Sequence, residues 1–570
     1  MKTNQLLLLI ISLFPISIVA QNRYDVVIDE ILADPTPQVG LPNNEWIELK
    51  NTSTTPINLQ GWRIGDASGQ SGALPSFTLR PDSFVVVCTG SALAAMQVFG
   101  PAISVTSFPS LNNDGDQLFL KAANGKIIHA VEYSSTWYRN ELKKDGGWSL
   151  EMIDPRSPCT ESKNWTASTS ATGGTPGKRN SVDGVTTDQT SPQLKGAYTA
   201  DSVTVLLVFD EPIDSLKGAT AGNYSVDGGI NVVSAITLPP MFKQVQLKLS
   251  RALAPNSVYT ITASNVADCK NNTIGSGNKA RVGLPVDATA GDWIINEVLF
   301  NPRPNGFDYI EFYNNSSKIL DASKLYVANR SSAGMVSSIK SLSSTPYYIF
   351  PGDYIVVTED ADNLALNYLV KYPENVLIVS PLPSFPDDAG DVVALNMQGN
   401  VVDEVKYNSS WHFKLIDNAE GVALERIDPS APSQNENNWH SAASTAGYGT
   451  PTYRNSQHKT TESIEAMVGV TPKVFSPDND GRDDIATIQY QVSGSGYVAN
   501  VTIFDGAGRP VRNLVQNGTL GLSGSWNWDG LNDKGAKLPL GTYIIYTEIF
   551  NLQGKKQQFK NTVVLARKLS

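Results

Sequence analysis

Apolar and polar residues alternate along most of this chain with a period of two. In VQLKLS at 245–250, Val245, Leu247 and Leu249 point one way while Gln246 and Lys248 point the other, as a half-solvated strand requires. Other runs, such as SFVVVCTG at 83–90 and DYIVVTED at 353–360, are short, rich in β-branched residues and bounded by Gly, Pro, Asn or Asp, and they predict short strands. Helical periodicity is almost absent, and one short helix is expected near Asn363–Lys371. Short strands with turn signals between them predict paired sheets that bury one face each, an all-β fold of tandem immunoglobulin-like sandwiches.

The pattern also repeats. VVIDEILADPTP at 26–37 returns as WIINEVLFNPRP at 293–304, EWIELKN at 45–51 as DYIEFYN at 308–314, and NGKIIHAVEYSSTW at 124–137 as QGNVVDEVKYNSSW at 398–411. Each copy closes with SLEMIDP (149–155) or ALERIDP (423–429), an Asn-Trp pair, and a Thr-Pro segment ending Arg-Asn-Ser (Thr175 to Ser181, Thr450 to Ser456). Conserved order with small changes of spacing means duplication with loop variation.

Four sandwiches in an elongated arrangement follow from these boundaries: 23–181, 188–286, 290–456 and 465–570, with linkers near 182–190, 286–291 and 457–468 that read as tethers. The IxEIxxxP opening, the WIELxN strand, the GWxIxD stretch at 61–66, the LxPxxFVVV strand at 79–87, the LNNxGDxLxL strand at 111–120 and the Trp-Ser-Leu-Glu…Asn-Trp close resemble a bacterial lamin-tail domain. The second copy departs from that pattern at Asp321–Asn329. Segment 188–286, with VTVLLVFDEPID and VYTITASNVAD, is similar to Ig-like spacer domains of bacterial surface-layer and adhesin proteins. FSPDNDGRDD, VTIFDGAGRPVRNL and WNWDGLNDKGAKLPLGTY in 465–570 resemble the Ig-like domain of flagellar hook-capping proteins and the gliding-motility and type IX secretion C-terminal domains of Bacteroidetes. Those resemblances imply a surface protein with a C-terminal sorting or anchoring domain and secretion or anchoring machinery among its partners.

Compartment and charge agree with that expectation. Lys2, the apolar run Leu6–Phe14, Pro15 and the Ile18-Val19-Ala20 ending predict a signal peptide over 1–20; Gln21 is not the cysteine that lipid attachment would need. No later stretch is long and apolar enough to span a bilayer. A net charge of -11 repels polyphosphates and argues against nucleic acid. The three cysteines are too few for a disulfide framework; Cys88–Cys159 within the first copy is one pairing, and unpaired thiols are the alternative.

Candidate chemistry is sparse. The four histidines, His129, His412, His440 and His458, belong to no HExxH motif, and neither a GxSxG elbow nor a Walker loop occurs, so no catalytic residues are assigned. His129 is read as a solvated side chain on an exposed strand, and Asp403 stands at its repeat position. Glu30 with Glu48, and Glu297 with Glu311, read either as an acid–base or cation pair, or as edge-strand charges or a strand-to-strand hydrogen bond. Trp137, Trp165, Trp411 and Trp439 could stack on sugar faces or fill the sandwich cores. In DNDGRDD, Asp478, Asp480, Asp483 and Asp484 around Gly481 suit a structural calcium ion, the one cofactor the sequence suggests, and suit a plain Asp-Gly turn equally. An exported, non-enzymatic structural or adhesive protein is the favoured function; a polysaccharide-binding accessory protein is the alternative, and a hydrolase the third.

Overall fold

In the computed structural model the described residues are 21–414, 416, 418–458, 466–551 and 556–567. The expected signal peptide, 1–20, and most of the expected tether 457–468 lie outside them. The protein is all-β, and it divides into two compact units: residues 1–253 with 259–282, and 254–258 with 283–570.

The two copies are built alike. In the first, a six-stranded sheet runs Trp165–Ala167, Leu150–Met152, Val26–Leu32, Trp46–Asn51, Phe84–Cys88, Ala102–Ser104. The second repeats that order with Trp439–Ser441, Leu424–Arg426, Trp293–Leu299, Tyr309–Asn314, Tyr354–Thr358 and Val376–Ile378. Trp46 and Tyr309 hold the same register place, opposite Leu32 and Leu299. Val26–Leu32 and Trp293–Leu299 are buried at every residue, the polar pairs Asp29-Glu30 and Asn296-Glu297 included. A second sheet closes each core. It is Arg63–Gly65, Gly115–Lys121, Ile127–Ser134 in the first copy and Val336–Ser341, Leu325–Arg330, Ala389–Asn396, Val401–Asn408 in the second. Leu325–Arg330 thus takes the sheet position of the missing GWxIxD stretch and gains an added partner strand.

Segment 188–286 forms a four-stranded sheet, Leu194–Asp201, Thr204–Phe209, Gln244–Leu249, Val232–Leu238, over a three-stranded one, Tyr224–Val226, Tyr259–Ala263, Lys279–Val282. Within the C-terminal segment, Met467–Thr471, Ala486–Gln491 and Ser523–Trp528 face a five-stranded sheet of Val474–Phe475, Lys556–Leu565, Gly541–Asn551, Tyr497–Phe504 and Pro510–Thr519. The expected helix is Ala361–Asn367, begun by Asp360, whose carboxylate accepts from Asn363 N.

Two expectations are corrected. The disulfide joins Cys159 to Cys269, whose Cα atoms are 6.1 Å apart, and so ties the first copy to the following sandwich; Cys88 is a free, buried thiol packed among Leu32, Trp46 and Met96. A strand residue facing a packed cluster has no line to a loop cysteine. The linkers are also anchored where they leave each copy. Gly184 N donates to Ile153 O, and Gln457, fully buried, donates through Nε2 to Ser441 O and Leu520 O at 2.9 Å each. The C-terminal sandwich therefore packs on the second copy, where Thr445 Oγ1 and Tyr490 OH also lie 2.8 Å apart.

Candidate functional site

The repeated acids meet inside each copy. Glu30 pairs in register with Glu48 on one side and Glu151 on the other, and Glu297 pairs likewise with Glu311 and Glu425. All six are fully buried. Their strands are interior to the sheet, so the edge-strand reading fails; nor do the acids bond to one another across the strands. They bond to the closing Thr-Pro…Arg-Asn-Ser segment, a strap that crosses their face.

The pattern is the same in both copies. Thr175 N donates to Glu30 Oε1 at 2.7 Å, and Thr450 N to Glu297 Oε1 at 2.9 Å. The threonine hydroxyls bridge to the third acid, Thr175 Oγ1 to Glu151 at 3.0 Å and Thr450 Oγ1 to Glu425 at 2.9 Å. Gly177 N donates to Glu48 Oε2, and Thr452 N to Glu311 Oε2 at 2.6 Å. Ser181 Oγ and Val182 N converge on Glu151 Oε2, as Ser456 Oγ and Gln457 N do on Glu425 Oε2. Asn180 and Asn455 donate their amides to two backbone carbonyls apiece, 2.8–3.0 Å away. Backbone N–H groups that would otherwise be buried without partners explain why acids sit here. Gly177 has φ +77°, and a Cβ there would come within 2.7 Å of Gly100 Cα. Thr452 has φ +74° despite its branched side chain, whose Oγ1 accepts from Lys371 N and Tyr372 N at 3.1 and 3.0 Å.

Burial is the first cause of the acids' shifted protonation. It pushes Glu30 up to about 8, helped by Glu151, and Glu425 up to about 8, helped by Glu297; Glu48 and Glu311 are raised well above the ordinary carboxylate range. These groups are closed to a substrate in solution, so the acid–base reading of Glu30 with Glu48 and Glu297 with Glu311 is replaced by a clamp on the strap. Glu151 and Glu425 were visible as part of the SLEMIDP and ALERIDP motifs, but period-two patterning gave no sign that they were the third acid.

The remaining sequence candidates are placed as follows. His129 is buried, not solvated: its Nδ1 accepts from Ile28 N at 3.0 Å, and burial lowers it to about 3, keeping it neutral. At the equivalent place Asp403 Oδ2 accepts from Ile295 N at 2.8 Å, so the role is retained while the residue changes. Trp165 is 0% exposed, Trp439 4% and Trp137 9%, and their faces are taken up by core packing instead of being free for a sugar; Trp137 and Trp165 pack with centroids 6.3 Å apart. Trp411 is half-buried against the second core.

Asp478, Asp480 and Asp484 bring carboxylate oxygens within 4.8 Å of one another; Asp483 is not part of that trio, and its carbonyl accepts from Ser476 N instead. Asp484 also accepts from Asn479 N and Gly481 N at 2.7 and 2.9 Å, which is the bonding of a tight turn. A second trio, Asp188, Glu211 and Asp268, was not foreseen, although the FDEP and NVAD motifs hold two of its members. Burial pushes Glu211 up to about 8, and Asp188 Oδ2 is buried without a hydrogen-bond partner among the described residues. Both trios offer the oxygen donors a hard cation takes.

The duplicated sheet order, strap and register are now comparable with known proteins. The Lamin Tail Domain family model matches residues 20–135 and 286–409. Both lamin-tail-like segments contain the first two acids of a clamp, while the third acid and the strap follow them in the chain. No curated protein matches the chain. Among solved structures, it is similar to the N-terminal part of the bacterial S-layer protein SbsC (16% identity, 29% of this chain and 40% of that one, TM-score 0.16). It is also similar to a DUF4876 family protein from Bacteroides thetaiotaomicron (11%, 37% and 85%, 0.18). A third likeness is to PorZ, described as a bacterial surface component of the type-IX secretion system of Porphyromonas gingivalis (10%, 95% and 81%, 0.17). The chain spans 40% of the length of the SbsC structure, and at TM-scores this low the likenesses carry no argument about function.

Proposed function

We propose that the protein is an exported, non-enzymatic structural or adhesive component of the cell surface, in which lamin-tail-like sandwiches act as rigid spacing or binding units. The observation that carries this reading is the strap. Each copy passes the chain to the next sandwich through a segment held by three of its own buried glutamates, an arrangement suited to keeping tandem domains intact outside the cell. Among the described residues no helix is long and apolar enough to cross a membrane. In this reading the C-terminal sandwich sorts or anchors the protein, its partners being secretion or anchoring machinery, and Asp478, Asp480 and Asp484 hold a structural calcium ion. Protease shaving of intact cells that leaves the protein untouched, with all of it recovered from the cell interior, sinks the surface assignment. Deleting 457–570 tests sorting: the truncated protein is expected to stall before the surface, and normal display reduces the domain to a spacer. Millimolar calcium is expected to raise the Tm of the wild-type chain and not that of an Asp480→Asn, Asp484→Asn variant. The polysaccharide-binding alternative has one accessible aromatic among its four candidates, Trp411, and a glycan array on the Trp411→Ala variant decides it.

A further inference from the structure

Among the differences between the two clamps, one lies directly beside the first acid. Asn296 and Asp29 each occupy the bulge that precedes the first acid, between Ile295 and Glu297 and between Ile28 and Glu30. In the second copy the Asn296 amide donates to Glu311 Oε1 at 2.8 Å and to Asn455 Oδ1 at 2.6 Å, and since Thr452 N serves Oε2, both oxygens of Glu311 have donors. Asp29 is 1% exposed and, as a carboxylate, has no N–H to give. In the first copy Asp29 Oδ1 and Glu48 Oε1 are both buried with no hydrogen-bond partner among the described residues. These are the two side chains that an amide hydrogen joins in the other copy. Two buried acceptors left in this state are costly, and one hydrogen between them removes the cost.

We propose that Asp29 and Glu48 share a single proton, which stands where the second copy has an amide hydrogen, and that losing it loosens the strap of the first copy. The charges around Asp29 favour keeping the proton. Burial is the largest influence; Lys50, on the neighbouring strand, opposes it, while Asp183 of the strap's continuation, Glu151 and Asp82 support it, and Glu30 and Glu48 add to the local negative charge. Lys50 is already engaged, with Nζ 3.4 Å from Asp82 and over the Phe84 ring. Burial pushes Asp29 up to about 7. In an unfolded chain both acids would titrate near roughly 4. The folded state thus holds the extra proton, and the stability it confers is complete below about pH 4, declines as the pH rises to 7 and is then level.

The test uses the full chain and follows amide hydrogen exchange of peptides covering 174–182 and 449–457 from pH 4.5 to 9, corrected for intrinsic exchange. Asp29→Asn supplies a permanent donor. The opening of 174–182 in wild type relative to this variant is expected to grow by up to about tenfold per pH unit towards pH 7 and then stay constant. Asn296→Asp is expected to impose the same dependence on 449–457. Infrared difference spectra at pH 5.5 should show one protonated carboxyl fewer in Asp29→Asn. If Asp29→Asn does not fold, Asn296→Asp and its infrared spectrum carry the test. A wild-type to variant ratio that does not vary with pH, or an unchanged carboxyl band, overturns the proposal. So does a strap tightened at pH 8 by calcium through Asp29, since that assigns a cation in place of the proton.

Discussion

In the first copy the backbone N–H of Ile28 is held by a neutral imidazole, and in the second that of Ile295 by a carboxylate. The change is balanced on the strand that pairs with that of Ile28 or Ile295. Met152 of the first copy becomes Arg426, whose Nη2 lies 3.0 Å from Asp403 Oδ2 and whose Nε donates to Ile295 O at 2.7 Å. A similar exchange feeds the first acid: Ser149 Oγ donates to Glu30 at 2.6 Å, whereas Ala423 stands in its place and Tyr309 OH, replacing Trp46, donates to Glu297 at 2.5 Å. What the copies share is the set of filled donors and acceptors, and residue identity follows only where one side chain alone can fill them. The six glutamates, Thr175 with Thr450, and Asn180 with Asn455 are of that kind.

The comparison can be broken in four ways. The largest effect is expected from Cys159→Ser with Cys269→Ser, because the bridge closes a loop with a sequence separation of 110 residues. Chain entropy puts the loss at about 4–5 kcal/mol, confined to the first unit. Denaturant titration read by hydrogen exchange in each copy checks this, and equal destabilisation of both copies contradicts it. Next, Arg426→Met leaves Asp403 without its cation and should cost ~3 kcal/mol. Adding Asp403→His reconstructs the first copy's neutral pair and should recover most of that, giving a favourable coupling in a double-mutant cycle. Strictly additive losses would mean the two pairs are not interchangeable. Tyr309→Phe removes one donor to a buried acid, for ~2 kcal/mol, and Ala423→Ser on that background should return about half by supplying the other copy's hydroxyl. The smallest effect is expected from Thr452→Gly, where relief of the left-handed backbone and loss of the two contacts to Oγ1 nearly cancel, within ~1 kcal/mol by thermal melting.

Period-two patterning and the repeated blocks made the two sandwiches legible because strand faces are fixed by local alternation. The same reasoning left Glu30 and Glu48 as an acid–base or cation pair, as edge-strand charges or as a strand-to-strand hydrogen bond, since an acid in a strand carries no mark of what will cover it. The strap that covers them arrives more than a hundred residues later, as Thr175. His129 was misplaced for a related reason: a polar residue in a short strand was read as solvated, and its partner, Ile28 N, is distant in sequence. Cys159 found Cys269 through the packing of one sandwich on another, which no local pattern encodes. The Asp480 trio was legible because all its members lie within one turn, whereas Asp188 joins Glu211 and Asp268 only after the sheets have formed.

The order in which the clamp is made also matters. Glu30 and Glu48 belong to the first two strands of their copy, and the strap that answers them is its last element. A nascent or nicked copy that ends before Thr175 has the acids in place with nothing to receive, and they must then stay hydrated, holding the sheet face open to water. Burial of the glutamates thus depends on the last residues of each copy, and a copy that lacks its strap leaves charged acids on an open sheet face.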